Sequence, residues 1–264
     1  MSRIKHLFNK LKSNNKKGFI AYITAGDPNI EFTQNLICEL DKIGVDLLEI
    51  GVPFSDPMAD GPVIQEASER ALANHINLKQ IFEMIKKVRL KTDIPLILFT
   101  YLNPVFCYGM EKFASDCKEN GVDGVLILDL PPEESESYIR YMRKFDVDTV
   151  FIIAPTTDDA RIKYVSDCST GFIYYVSRTG VTGEKNDIDA ELENRLEKIK
   201  SITDKPVAVG FGISNPLQVA QIARYGDAVV VGSAIVRRIK EFHQQYDGYK
   251  KVAEFVKNLV QPLK

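Results

Sequence analysis

Glu49 stands between Leu48 and Ile50, near the end of the run Val45-Asp46-Leu47-Leu48-Glu49-Ile50-Gly51-Val52. In a strand the side chains alternate, so Val45, Leu47, Glu49 and Gly51 share one face while Leu48 and Ile50 share the other. Burying a carboxylate in such a run is costly unless it has a partner or a task. Apolar surroundings raise a carboxyl pKa, which suits it to proton transfer near neutral pH. The alternative is a structural glutamate paired with a cation elsewhere in the chain.

The next ten residues, Pro53-Phe54-Ser55-Asp56-Pro57-Met58-Ala59-Asp60-Gly61-Pro62, hold three prolines and a glycine, which restrict the backbone that presents Asp56 and Asp60. Asp60 has two readings. It could cap a helix starting near Pro62, or it could join Glu49 over one site as the second member of an acid/base pair.

Glycines mark a second kind of chemistry. Gly180-Val181-Thr182-Gly183, Gly210-Phe211-Gly212-Ile213-Ser214 and Val231-Gly232-Ser233-Ala234 each follow an apolar run. Glycine lets backbone N–H groups approach an anion, and a helix starting at Ser233 adds its positive dipole end. Any one pair could be an ordinary tight turn, but the three together suggest a phosphate cradle. Tyr22, Phe99, Tyr101, Phe172 and Tyr174 lie in the same apolar runs and could form a flat slot or simply core. No lysine falls inside these runs, and His6, His75 and His243 are scattered. A Schiff base or a His-ligated metal is therefore not indicated, and cofactor-free chemistry is expected.

Positioning these groups requires a scaffold. Eight strand candidates span 18–24, 45–52, 95–101, 124–130, 149–155, 171–177, 206–212 and 228–234. Most are continuously apolar, as in parallel sheets covered on both faces. Segments with helical periodicity lie between them, including 31–42, 78–91, 110–119, 133–144, 190–201 and 217–225. Strict βα alternation with eight repeats predicts one α/β domain over 1–264, a closed (β/α)8 TIM barrel. The long connections 53–77 and 178–188 would then sit where barrel enzymes build their sites. Ile4, Leu7, Phe8 and Leu11 follow helical spacing, so an extra amphipathic helix over 1–12 is expected to dock on the domain, in preference to a targeting segment.

Composition narrows the function classes. A formal net charge of −2 supplies no basic field for nucleic acid. No apolar run approaches a membrane span. Cys38, Cys107, Cys117 and Cys168 contain no CxxC pair and read as reduced, buried thiols, with cytosol as the default compartment.

The stretch 48–62 resembles the signature of tryptophan synthase α subunits, and 177–183, 210–214 and 231–236 match further segments of that family in order. The resemblance implies retro-aldol cleavage of indole-3-glycerol phosphate to indole and glyceraldehyde 3-phosphate. It implies that Glu49 is the acid/base, that Asp60 faces the indole N–H, and that Tyr174 is the active-site tyrosine. Gly183, Gly212, Gly232 and Ser233 would bind phosphate, with Phe211 beside them. Thr182 would help place Asp60 as a mobile loop closes. Tyr22 and Phe99 stand where the family commonly has Phe and Leu. A β subunit carrying pyridoxal phosphate is the implied partner in an α2β2 complex, with Asp56 and Pro57 in the loop that faces it, and no cofactor is implied for this chain. Competing readings are a stand-alone indole-releasing lyase, a phosphosugar isomerase using Glu49 as base, and a non-catalytic regulatory subunit.

Overall fold

In this computed structural model the described residues are 1–176, 185–210 and 212–264, with backbone alone described across 185–191. Eight strands form a closed parallel barrel in sequence order. They are β1 (Gly18–Thr24), β2 (Leu47–Gly51), β3 (Leu96–Thr100), β4 (Gly124–Ile127), β5 (Asp148–Ile153), β6 (Ile173–Val176), β7 (Val207–Gly210) and β8 (Ala228–Val231). The helices are α1 (Arg3–Ser13), α2 (Ile30–Lys42), α3 (Pro62–Ala73), α4 (Leu78–Val88), α5 (Leu102–Tyr108) and α6 (Met110–Asn120). They continue with α7 (Glu136–Lys144), α8 (Asp159–Cys168), α9 (Lys185–Ile202), α10 (Pro216–Ile222), α11 (Ser233–Phe242) and α12 (Gly248–Val260).

Each strand has two apolar faces because each separates two cores. Leu48 and Ile50 of β2 pack outward with the helices. Leu47 points inward with Ile20, Ile97, Leu126, Val150 and Phe172. Val45 departs from the expected alternation: β2 begins only at Leu47, and Val45 joins the outer core. β1 spans its expected run, 18–24, and among the described residues β3, β4, β5 and β8 end before their apolar runs do. Local signals set the helix ends. Asn77 and Gln80 form a reciprocal capping box that starts α4, and Gly121 ends α6 with a φ of 84° that a side chain would resist. The expected helix over 133–144 is a 3-10 turn at Pro132–Glu134 followed by α7.

The amphipathic N-terminal segment forms α1 and plugs the bottom of the barrel. Ile4, Phe8 and Leu11 join the inner core, each burial contributing roughly 1.5–3 kcal/mol. Strand-start glycines make room for them. A Cβ on Gly124 would meet Ile4 at 3.0 Å, and one on Gly18 would meet Leu11 at 3.1 Å. Asp123 then ties the plug down, accepting from Arg3 at 3.0 Å, Arg89 at 2.7 Å and the Leu96 amide at 2.9 Å. The thiols only half match expectation: Cys117 and Cys168 are buried, Cys38 is half-buried, and Cys107, on the last turn of α5, is exposed.

Candidate active site at the barrel mouth

The inward positions of β2 place Glu49 at the upper end of the barrel interior, paired in register with Tyr22 of β1. Glu49 is wholly buried, and neither carboxylate oxygen has a hydrogen-bond partner among the described residues. No ion pair to it is formed there either, so the cation-paired structural reading finds no support. Burial alone pushes its pKa up to about 8. Buried carboxyls without partners are rare and call for a reason.

Asp60 is half-buried above it. Its Oδ2 accepts from the Tyr101 hydroxyl at 2.9 Å, and the same hydroxyl accepts from the Ala59 amide at 3.0 Å. Tyr101, just past β3, thus clamps the Asp60 loop from both sides. The helix-cap reading of Asp60 fails: the N-cap of α3 is Gly61, with no side-chain cap bond, and Pro62 begins the helix without needing one. Burial raises the Asp60 carboxyl above its usual range while the Tyr101 bond pulls it back. Asp56 lies exposed on the same loop, its carboxylate accepting from the Ser55 hydroxyl at 2.5 Å.

Glu49 and Asp60 line one cavity of about 220 Å³ together with Tyr22, Phe99, Tyr174, Gly210, Gly212, Gly232 and Ser233. The sequence reading brought all nine to this mouth. Phe99 meets Tyr22 edge-on at 5.2 Å between ring centroids and Tyr174 at 6.5 Å, so three rings form one wall. Glycine is required twice by these rings. A Cβ on Gly51 would lie 2.1 Å from the Tyr22 hydroxyl, and one on Gly210 would lie 3.0 Å from Tyr174. Past the ends of β7 and β8, between Tyr174 and Tyr22, Gly212 has a φ of 64°. There α11 starts at Ser233 with Gly232 as an N-cap that offers no side-chain bond, which leaves its first amides for an anion.

Thr182, Gly183 and Phe211 lie outside the described residues. The sequence reading missed Ile64, Val176 and Val230 as apolar lining. It named Tyr101 only as an aromatic, not as the partner of Asp60. It also missed Arg237, one turn into α11, whose guanidinium reaches Ser233 Oγ at 3.4 Å. A basic residue four positions after the glycine–serine start was the available signal. Among the described residues no group of three His, Cys, Asp or Glu side chains is placed to hold a metal ion. No described helix is long and apolar enough to cross a membrane.

Acid, aromatic wall and amide cradle converge at the C-terminal end of a (β/α)8 barrel, which places the chain among barrel enzymes that move protons on phosphate-bearing substrates. Comparison with known proteins narrows the class. Residues 8–264 match the family model described as tryptophan synthase alpha chain. The tryptophan synthase alpha chain of Geotalea uraniireducens is 50% identical over 242 residues, covering 92% of this chain and 91% of that one. That of Geobacter sulfurreducens is 46% identical over 259 residues, covering 98% of each. The crystal structure of tryptophan synthase subunit alpha from Legionella pneumophila superposes with a TM-score of 0.92 at 38% identity, covering 100% of this chain and 98% of that one. The chain belongs to the tryptophan synthase alpha chain family. A further relative at 38% identity and TM-score 0.86, covering 93% of this chain and 99% of its own, comes from the tryptophan synthase α2β2 complex of Pyrococcus furiosus.

Proposed function

We propose that this chain, acting as one barrel domain in the cytoplasm, cleaves indole-3-glycerol phosphate to indole and glyceraldehyde 3-phosphate. It passes the indole to a β subunit in an α2β2 complex. The observation that carries the reading is Glu49, a buried carboxyl with no partner among the described residues, facing the same cavity as Asp60.

A pKa near 8 leaves Glu49 protonated in the resting enzyme at neutral pH. The protonated Glu49 gives its proton to indole C3, and positive charge develops at the ring nitrogen. Asp60, held by Tyr101, accepts the ring N–H and stabilises that charge. Glu49, now a carboxylate, takes the proton of the adjacent glycerol hydroxyl. The carbon–carbon bond breaks, its electron pair restores the aromatic indole, and the hydroxyl carbon becomes the aldehyde. Glu49 ends the cycle protonated, so no net proton is consumed. Tyr22, Phe99 and Tyr174 hold the flat ring. Gly212, Gly232 and Ser233 grip the phosphate, with Gly183 and Phe211 assigned to the same end and Thr182 to loop closure over Asp60. The steps need no resident cofactor, and pyridoxal phosphate belongs to the β subunit.

Measuring indole release from indole-3-glycerol phosphate by the purified chain, with and without a β subunit, tests this. Indole release that rises when the β subunit is added is expected. Failure to release indole in either condition would overturn it.

A further inference from the structure

At the opposite end of the barrel from Glu49, a cavity of about 340 Å³ opens between α1 and the turns that precede β1, β7 and β8. Its rim carries Lys12, Lys16, Lys17, Lys200 and Lys205 against Asp204 and Asp227. Five lysines against two aspartates leave a surplus of three positive charges, on a chain whose formal total is −2.

Asp227 does not neutralise this rim. Its Oδ2 accepts from the Val207 amide at 2.9 Å and its Oδ1 from Lys200 at 3.0 Å, so Lys17 approaches only to 3.7 Å. Among the described residues Lys12, Lys16 and Lys205 form no ion pair with any carboxylate. Lys17 is half-buried, and its ammonium is pushed below the ordinary lysine value, first by burial and then by Lys200. Holding like charges around a concave surface is unfavourable, and a concave field of one sign concentrates counter-ions. The floor has a different character. Phe8, Leu11 and Pro206 present apolar edges there, between the lysines. Inorganic phosphate would use the rim and leave this floor bare, whereas an anion with a ring or carbon skeleton would cover both.

We propose that this lower cavity binds an organic phosphate, its phosphoryl oxygens among Lys16, Lys17 and Lys205 and its apolar portion on Phe8, Leu11 and Pro206. The α1 plug, buried through Ile4, Phe8 and Leu11, separates this site from the mouth. An occupant would therefore bind without competing for the substrate position, and it would hold α1 in place.

Adenosine triphosphate without magnesium and inorganic phosphate serve as probes in calorimetric titrations of three full-length chains: wild type, Lys16→Glu/Lys205→Glu, and the mouth variant Ser233→Asp. Triphosphate should bind wild type and Ser233→Asp alike, and the double variant at least about tenfold more weakly, with the affinity falling as salt rises. It should raise the unfolding temperature of wild type and Ser233→Asp only. Indole release by the double variant shows that it is folded. Equal triphosphate binding by the double variant, or loss of binding in Ser233→Asp, would overturn the proposal. Inorganic phosphate binding as tightly as triphosphate would remove the role given to the apolar floor.

Discussion

Two buried carboxylates, one at each end of the barrel, are treated in opposite ways. Asp123 at the floor is gripped by Arg3, Arg89 and the Leu96 amide. Glu49 at the mouth has no hydrogen-bond partner among the described residues. Glu49 faces the barrel interior, whereas Asp123 lies just before β4 beside the end of α4, and both are largely or wholly shielded from water. The floor spends its buried charge on closing the structure around α1. The mouth tolerates an unsatisfied group whose proton can then be moved. Conserving that division of labour is what a barrel with stability at one end and chemistry at the other requires.

Breaking the mouth should produce the largest effect. Glu49→Gln is expected to lower indole release by about 10²–10⁴-fold, the scale for losing a general acid/base. It should not cost stability. The folded pKa of about 8 exceeds the ordinary 4.5, so the unfolded chain releases this proton first as pH rises. Stability of the wild type should therefore fall, relative to the Gln variant, between pH 4.5 and 8 and level off above, by about 3–5 kcal/mol in all. Urea unfolding of both chains across that range checks the sign, and parallel curves would contradict it.

The floor should answer in the other currency. Arg89→Ala leaves the buried Asp123 with Arg3 and the Leu96 amide but without its more buried guanidinium partner, and it removes the bond to Gly121 O at 2.8 Å, so it should destabilise by about 3 kcal/mol. Turnover per folded molecule should stay unchanged, and a specific loss of turnover would blur the contrast. Ile4→Ala empties the centre of the plug and should cost about 2–5 kcal/mol, again read by urea unfolding with turnover as the control. Tyr101→Phe is the smallest. It deletes one hydroxyl that accepts from Ala59 and donates to Asp60. The expected result is about a tenfold loss of turnover with about 1 kcal/mol of stability. An unaltered rate would show that Asp60 needs no such clamp.

How much of this was legible follows from the range of each interaction. The eight strands were readable because parallel strands covered on both faces leave continuous apolar runs. The ends of β1 were readable too, but that of β4 was not, since Leu128 and Leu130 keep the apolar signal after leaving the ladder. The α1 segment announced itself by spacing, but its seats at Gly18 and Gly124 depend on the closed barrel. Glu49 was recognisable from its neighbours, whereas its lack of a partner is a property of the whole fold. Asp60 was ambiguous for a similar reason. Its partner Tyr101 lies 41 residues away and no local pattern links them.

The barrel mouth keeps Glu49 protonated by burial alone. Carbon-13 labelling of glutamate, with Glu49→Gln used to assign the resonance, allows its carboxyl to be titrated directly by NMR in the substrate-free chain. Its midpoint should lie near 8, with kcat/KM falling as pH rises through the same value. A midpoint near the ordinary 4.5 would contradict it.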